Sequence, residues 1–298
     1  MKPAFRIDAL AAPAFVVVWS SGFIGAKYGL PYIEPATLLA LRFGFATLLI
    51  GLWIVVARAP WPTPRQARDA AVVGILLQVV YLGGVYQAIE LGTEAWVSAL
   101  IVALHPVLTA MISRQSLGER LEPVQWVGIA FGFLGVGLVV ARKLDAGVGD
   151  WRGVVLCLCA LGAISVASIL QKARAGDHPM RSTTMVQFVT GLVVLTPVSF
   201  AFETQEIAWS VELVLTLVWL VVVMSIGALS LLLFLIRRGA ASSVASLFFL
   251  VPPTTALMAW AIFGEGLSPA ELAGIAATAL GVLMVNRPGL FAPGLSRG

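Results

Sequence analysis

Residues 105–136 read HPVLTAMISRQSLGERLEPVQWVGIAFGFLGV, and residues 252–282 read PPTTALMAWAIFGEGLSPAELAGIAATALGV. At an offset of 146, Thr109, Ala110, Gly118, Glu119, Leu121, Pro123, Gly128, Ile129, Ala130, Gly135 and Val136 recur as Thr255, Ala256, Gly264, Glu265, Leu267, Pro269, Gly274, Ile275, Ala276, Gly281 and Val282. Upstream of one gap the offset is 147, where Gly92, Val97 and Pro106 align with Gly239, Val244 and Pro253. Further upstream, Arg42-Phe43 aligns with Gln187-Phe188. The chain is a duplication, and duplicated halves are a recurring signature of membrane transporters.

The surroundings of these stretches say what kind of chain was duplicated. Apolar residues make up 59% of it and charged residues 11%, against about 45–50% and 25% in soluble domains. Near-continuous apolar runs fall at 9–29, 36–57, 69–90, 95–114, 123–141, 152–172, 182–202, 212–236, 241–263 and 268–286. Each approaches the roughly 20 residues that cross a bilayer as a helix. The first run holds Trp19 and ends in Lys27-Tyr28-Gly29 rather than at a small-residue cleavage site, so it is read as a span and not a signal peptide. The expected fold is an all-α integral membrane protein of ten transmembrane helices. It divides into a first five-helix repeat at 9–141 and a second at 152–286. Five is odd, so the second repeat starts on the opposite side and runs inverted.

Lys and Arg accumulate in cytoplasmic loops. With the N-terminus inside, the segments on that side hold fourteen of the 19 basic residues, Arg58, Arg65, Arg68, Arg114 and Arg120 among them. The outer segments hold Lys27, Arg142, Lys143 and Arg152, and Arg42 lies within a span. Both termini are therefore expected in the cytoplasm. The basic residues form no stripe, so the net charge of +4 reads as orientation, not nucleic-acid binding. Cys157 and Cys159 read as small core residues.

Polar groups deep in a span are costly and count as functional candidates. His105 falls mid-span before Pro106, where a helix break would free carbonyls beside an imidazole able to titrate. It reads equally as a cavity group or as an interhelical hydrogen-bonder. Gln78, Tyr81 and Val85 share one face at helical spacing, and this face could stack on and hydrogen-bond an aromatic solute. Trp19 with Ser20 and Ser21, and Ser165 with Ser168, occupy the middles of the repeat-equivalent first and sixth spans, where close packing is the competing reading. Phe249 lies beside the bend expected at Pro252-Pro253. Arg42 either snorkels or clamps helix-end carbonyls, or attracts a substrate carboxylate. Tyr86 and Trp96 read as an interfacial belt, and Lys27 as an interfacial anchor.

The Trp19-Ser20-Ser21-Gly22 opening with Lys27 and Gly29, the Leu41-Arg42-Phe43 segment and the doubled Pro106 to Val136 pattern resemble the drug/metabolite transporter superfamily. The likeness is to its ten-helix branch with two EamA domains, and within that branch to bacterial YddG-type exporters of aromatic amino acids. The resemblance implies a basket of ten helices around a central cavity in a bacterial inner membrane, working on a small-molecule substrate without a bound cofactor or metal. The inverted repeats themselves would let the two halves rock and expose a midplane site to either side in turn. The residues read from their places in the spans as substrate-binding are Trp19, Gln78, Tyr81, His105, Ser165, Ser168 and Phe249, of which His105, Ser165 and Ser168 stand where such exporters carry aromatic side chains.

Other classes lack their motifs. There is no Gly-x-Ser-x-Gly elbow and no HExxH, His105 and His178 are the only histidines, and no phosphate-cradling loop is present. An enzyme and direct ATP drive are not expected, and a channel would want a charged ring or carbonyl filter. The alternative is a proton-coupled efflux pump for cationic drugs. It would want a membrane-embedded carboxylate, which the first and sixth spans do not contain.

Overall fold

The structure, a computed structural model, describes residues 4–117, 121–147, 149–174, 179–228, 230–231, 234–235 and 246–291. Gly118, Glu119, Gly239 and Val244 of the repeat, and His178, lie outside the described residues. The chain is an all-helical membrane protein. Nine helices among the described residues are long and apolar enough to cross a bilayer: α1 (Leu10–Tyr32), α2 (Pro35–Val56), α3 (Pro64–Glu90), α4 (Ala95–Arg114), α5 (Pro123–Asp145), α6 (Trp151–Ala173), α7 (Met180–Phe202), α8 (Val211–Ala228) and α10 (Pro269–Asn286). The remaining expected span is described over the shorter apolar helix α9 (Leu247–Phe263).

Local chemistry sets the helix starts. Pro35, Pro64, Pro123 and Pro269 each stand in a first turn, where a missing N–H would have had no helical partner. Capping boxes close the orphan donors at Thr63/Gln66, Glu122/Gln125 and Ser268/Glu271. The Thr63 box starts α3 at Pro64, ahead of residue 69, where apolarity alone puts it. The last two boxes are repeat equivalents. α9 ends at Gly264, whose φ of +69° is the left-handed turn that glycine adopts without steric penalty.

Irregular turns also recur at equivalent positions. α3 is π-helical over Ile75–Gly83 and α8 over Trp219–Ala228. α4 breaks at Ala103-Leu104, just before His105-Pro106. α9 begins as a 3-10 turn over Ser246–Leu250, before Pro252-Pro253.

Packing between the repeats exchanges equivalent helices. α1 packs on α8 and α9, as α6 packs on α3 and α4; α2 packs on α7, and α5 on α10. The α5–α10 seam is glycine-lined. A methyl group at Gly128 would stand 2.7 Å from the Gly281 carbonyl oxygen, and one at Gly135 would stand 2.5 Å from that of Gly274. Gly128 and Gly274 are equivalent, as are Gly135 and Gly281, so each contact is the other with its partners exchanged. As residue numbers rise along α5, those of their contacts on α10 fall, so the two equivalent helices run antiparallel and the repeats are inverted. Small residues let the backbones meet where no hydrophobic force draws helices together in lipid.

The outward faces keep Leu48, Leu52, Leu134, Val193, Phe200, Leu257 and Trp260 exposed, which suits acyl chains. Hydroxyls, Arg42 and Gln187 lie inside.

Candidate substrate cavity

A narrow cavity lies where α1, α3, α4, α6 and α9 meet, walled by Trp19, Tyr81, His105, Ile164, Phe248 and Val251 among others. At about 10 Å³ it has room for about one water, so a solute enters only when these helices part. Its aromatic wall centres on Phe248, whose ring meets Trp19 at 5.2 Å and 87°, His105 at 5.1 Å and 87°, and Phe15 at 5.4 Å and 83°. These edge-to-face contacts match the ring quadrupole.

Two polar handles complete the site. The α4 break follows from Pro106, which has no N–H to offer the Val102 carbonyl. The His105 imidazole stands directly after the break, with its ring against Phe248. Tyr81, also on the wall, has no hydrogen bond from its hydroxyl to any described residue. A buried phenol usually has a partner.

Of the candidate residues, the structure brings Trp19, Tyr81 and His105 together. Gln78 is buried with its side chain against Gly191 on α7, and its Oε1 has no hydrogen-bond partner. The shared Gln78–Tyr81 face assumed α-helical spacing, but the π-helical stretch advances fewer degrees per residue and separates the two. Phe248 and Phe249 are both half-buried against the core, and Phe248 is the one that lines the cavity. Here the 3-10 turn, at three residues per turn, moves the register. A proline pair just ahead was the signal that α-helical spacing could fail.

Ser165 and Ser168 bond within α6, to the carbonyls of Leu161 and Ile164, each at 2.7 Å. Ser165 also lies 3.3 Å from the His105 carbonyl. Its equivalent on α1, Ser20, donates to the Val251 carbonyl at 3.3 Å. Each first helix thus holds the break of the other repeat's fourth helix by one hydroxyl.

The Lys27 end of the bundle carries an ionic cluster. Lys27 pairs with Glu265 and lies 5.1 Å from the Phe263 ring centroid. Lys143 bridges Glu94 at 2.7 Å and Glu271 at 3.1 Å. Lys27 is thus an ion-pair partner, not an interfacial anchor. Tyr86 and Trp96 are buried too: Tyr86 accepts from Arg42, and Trp96 lies beneath Lys143. Both face the helix interior because a cation waits there for a ring or a hydroxyl.

The model of the EamA-like transporter family matches residues 7–141 and 151–287. The chain belongs to the EamA-like transporter family: it is a multi-pass membrane transporter and not an enzyme. It is 25% identical over 275 residues to the uncharacterized inner membrane transporter YedA of Escherichia coli, covering 92% of this chain and 88% of that one. It is 27% identical over 287 residues to the uncharacterized transporter YvbV of Bacillus subtilis, at 93% and 91% coverage. A probable amino-acid metabolite efflux pump of Salmonella typhimurium is 26% identical over 280 residues, at 90% and 91%. A solved crystal structure at 20% identity shares the fold with a TM-score of 0.65, over 98% of this chain and 99% of its own.

Proposed function

We propose that this transporter exports amino acids, aromatic ones foremost, and related small metabolites across a bacterial inner membrane, with both termini in the cytoplasm. The observation that carries the reading is the cavity wall, where the rings of Trp19, Phe248 and His105 stand with Tyr81, whose hydroxyl has no hydrogen-bond partner among the described residues. An aromatic or apolar side chain would stack among the rings while a polar group meets the phenol and imidazole. The efflux pump of Salmonella typhimurium supports the solute class by its name.

Alternating access is the mechanism we infer. The two repeats meet along glycine seams and exchanged hydroxyl clamps, so one can rock against the other without repacking internally. The orientation rests on the basic residues. Of the four expected outside, Lys27 and Lys143 are held by carboxylates, which leaves that end with few free cations.

Proteoliposomes containing the purified protein test the reading. Preloaded phenylalanine, tyrosine and leucine should leave faster than from empty liposomes. Tyr81→Phe and His105→Ala should lower the rates while melting temperatures stay within a few degrees of wild type. Rates no better than empty liposomes across an aromatic and aliphatic panel would sink it. Faster movement of cationic drugs than of amino acids, driven by a proton gradient, would favour the alternative pump.

A further inference from the structure

Arg42 stands on α2 at 5% exposure, inside a membrane-spanning bundle. Its Nε donates to Ser225 Oγ on α8 at 3.2 Å, and its Nη1 donates to Tyr86 Oη on α3 at 3.0 Å. A guanidinium carries five N–H donors, so these bonds leave three unused. Among the described residues, no carboxylate lies within 4 Å of it. Cations at membrane depth are normally paired, and this chain observes that elsewhere, with Lys27 on Glu265 and Lys143 on Glu94 and Glu271.

The fold does not demand a charge at this position. The repeat-equivalent residue is Gln187, equally buried and neutral, so the same helix crossing is built without a cation. Among the described residues, Arg42 meets two hydroxyls and the Phe43 ring. Ser225 already gives its proton to the Leu220 carbonyl at 2.9 Å. Tyr86 accepts from Arg42 and keeps its own O–H to give. Tyr81, on the cavity wall, stands on the π-helical stretch of α3, which packs on α2. A buried cation with no carboxylate beside it among the described residues, and with a phenol hydroxyl left to donate, is complementary to an anion, and a planar carboxylate is the anion that a guanidinium fork matches.

We propose that Arg42, with the Tyr86 and Tyr81 hydroxyls, binds the carboxylate of the transported solute. The substrate class is then carboxylate-bearing metabolites such as α-amino acids, with the side chain among the rings of the cavity. The assignment rests on the export reading above, and the test separates the two.

Phenylalanine is compared with phenylalaninamide, which has the same ring and amine but no carboxylate. Two readouts are taken: exchange in proteoliposomes, and melting temperature of the detergent-purified protein at rising ligand concentration. Wild type should move the acid at least tenfold faster than the amide and be stabilised by the acid alone. Arg42→Gln, which installs the residue of the other repeat, should lose that preference. If it does not fold, wild-type discrimination in both readouts decides. Equal handling of acid and amide by wild type overturns the assignment, as does a folded Arg42→Gln protein that still prefers the acid. If the acid stabilises the protein but nothing is transported, the export reading fails and the site stands. If the acid affects neither readout, the site is overturned.

Discussion

Phe43 on α2 and Phe188 on α7 lie face to face, with ring centroids 5.6 Å apart and planes inclined by 17°. They occupy the same position in the two repeats. A residue that meets its own counterpart marks the axis relating two halves, as at a two-fold interface between identical subunits. The glycine pairs of α5 and α10 repeat this relation at the second seam, and the Ser20 and Ser165 clamps repeat it beside the cavity.

The first prediction follows from that stack. Phe43→Leu and Phe188→Leu keep the volume roughly and remove the ring pair. A double-mutant cycle on unfolding in detergent should return a coupling of about 0.5–1.5 kcal/mol. Additive losses would mean that the rings are adjacent without interacting.

The glycine seam gives a paired comparison on one helix. A methyl group at Gly135 would stand 2.5 Å from both the Gly274 carbonyl oxygen and the Thr278 Oγ1, and 2.8 Å from the Thr278 nitrogen. Two of those atoms are backbone and cannot rotate away. Gly135→Ala should therefore cost about 1–3 kcal/mol, the usual penalty of overpacking. Gly137 has nothing within 4 Å of the same methyl, so Gly137→Ala should be neutral or slightly stabilising through helix propensity. Thermal melts of both variants check the contrast, which fails if the two behave alike.

If the hydroxyl clamps are equivalent, removing either should have the same effect. Ser20→Ala and Ser165→Ala should each cost about 0.6 kcal/mol, the average for a polar contact between membrane helices. A loss at one site only, measured by reversible unfolding, would show that the two breaks are held differently.

At the Lys27 end, burial lifts the Glu94 carboxyl above the ordinary glutamate value despite the opposing pull of Lys143. A carboxyl with a raised folded pKa holds its proton more readily when folded. Its contribution to stability therefore grows as pH falls toward that raised value and is lost as pH rises through it. Lys143, Lys27, Glu265 and Glu271 face it. Wild type should thus gain melting temperature relative to Glu94→Gln as pH drops from 8 toward 5, since glutamine does not titrate. A constant or widening gap in favour of the glutamine variant would contradict this.

Within the cavity, Phe248→Leu removes the ring on which Trp19, His105 and Phe15 converge. Losing one such contact is worth about 0.5–1.5 kcal/mol, or roughly two- to tenfold in transport efficiency for an aromatic solute. Phe249→Leu should leave the aromatic-to-aliphatic preference unchanged. Counterflow with labelled phenylalanine and leucine distinguishes them, and an equal shift from both variants would remove Phe248 from the site.

The ten-helix duplication was legible from residues alone because the bilayer makes its demand locally. Each span must be apolar for about 20 residues and satisfy its own backbone, so hydropathy carries the helix number, and an odd number per repeat carries the inversion. Trp19, Tyr81 and His105 were legible for the same reason, as polar or bulky groups at mid-depth. Which neighbour faces the cavity was not legible, because that depends on the angular step between residues. A π-helical stretch turned Gln78 away from Tyr81, and a 3-10 turn put Phe248 where α-helical spacing pointed to Phe249. Charge partners were beyond the sequence too. Glu94 and Glu271 reach Lys143 from different repeats, and among the described residues Arg42 meets the hydroxyls of Tyr86 and Ser225 and the Phe43 ring. Such pairings arise only when helices distant in the chain are packed side by side.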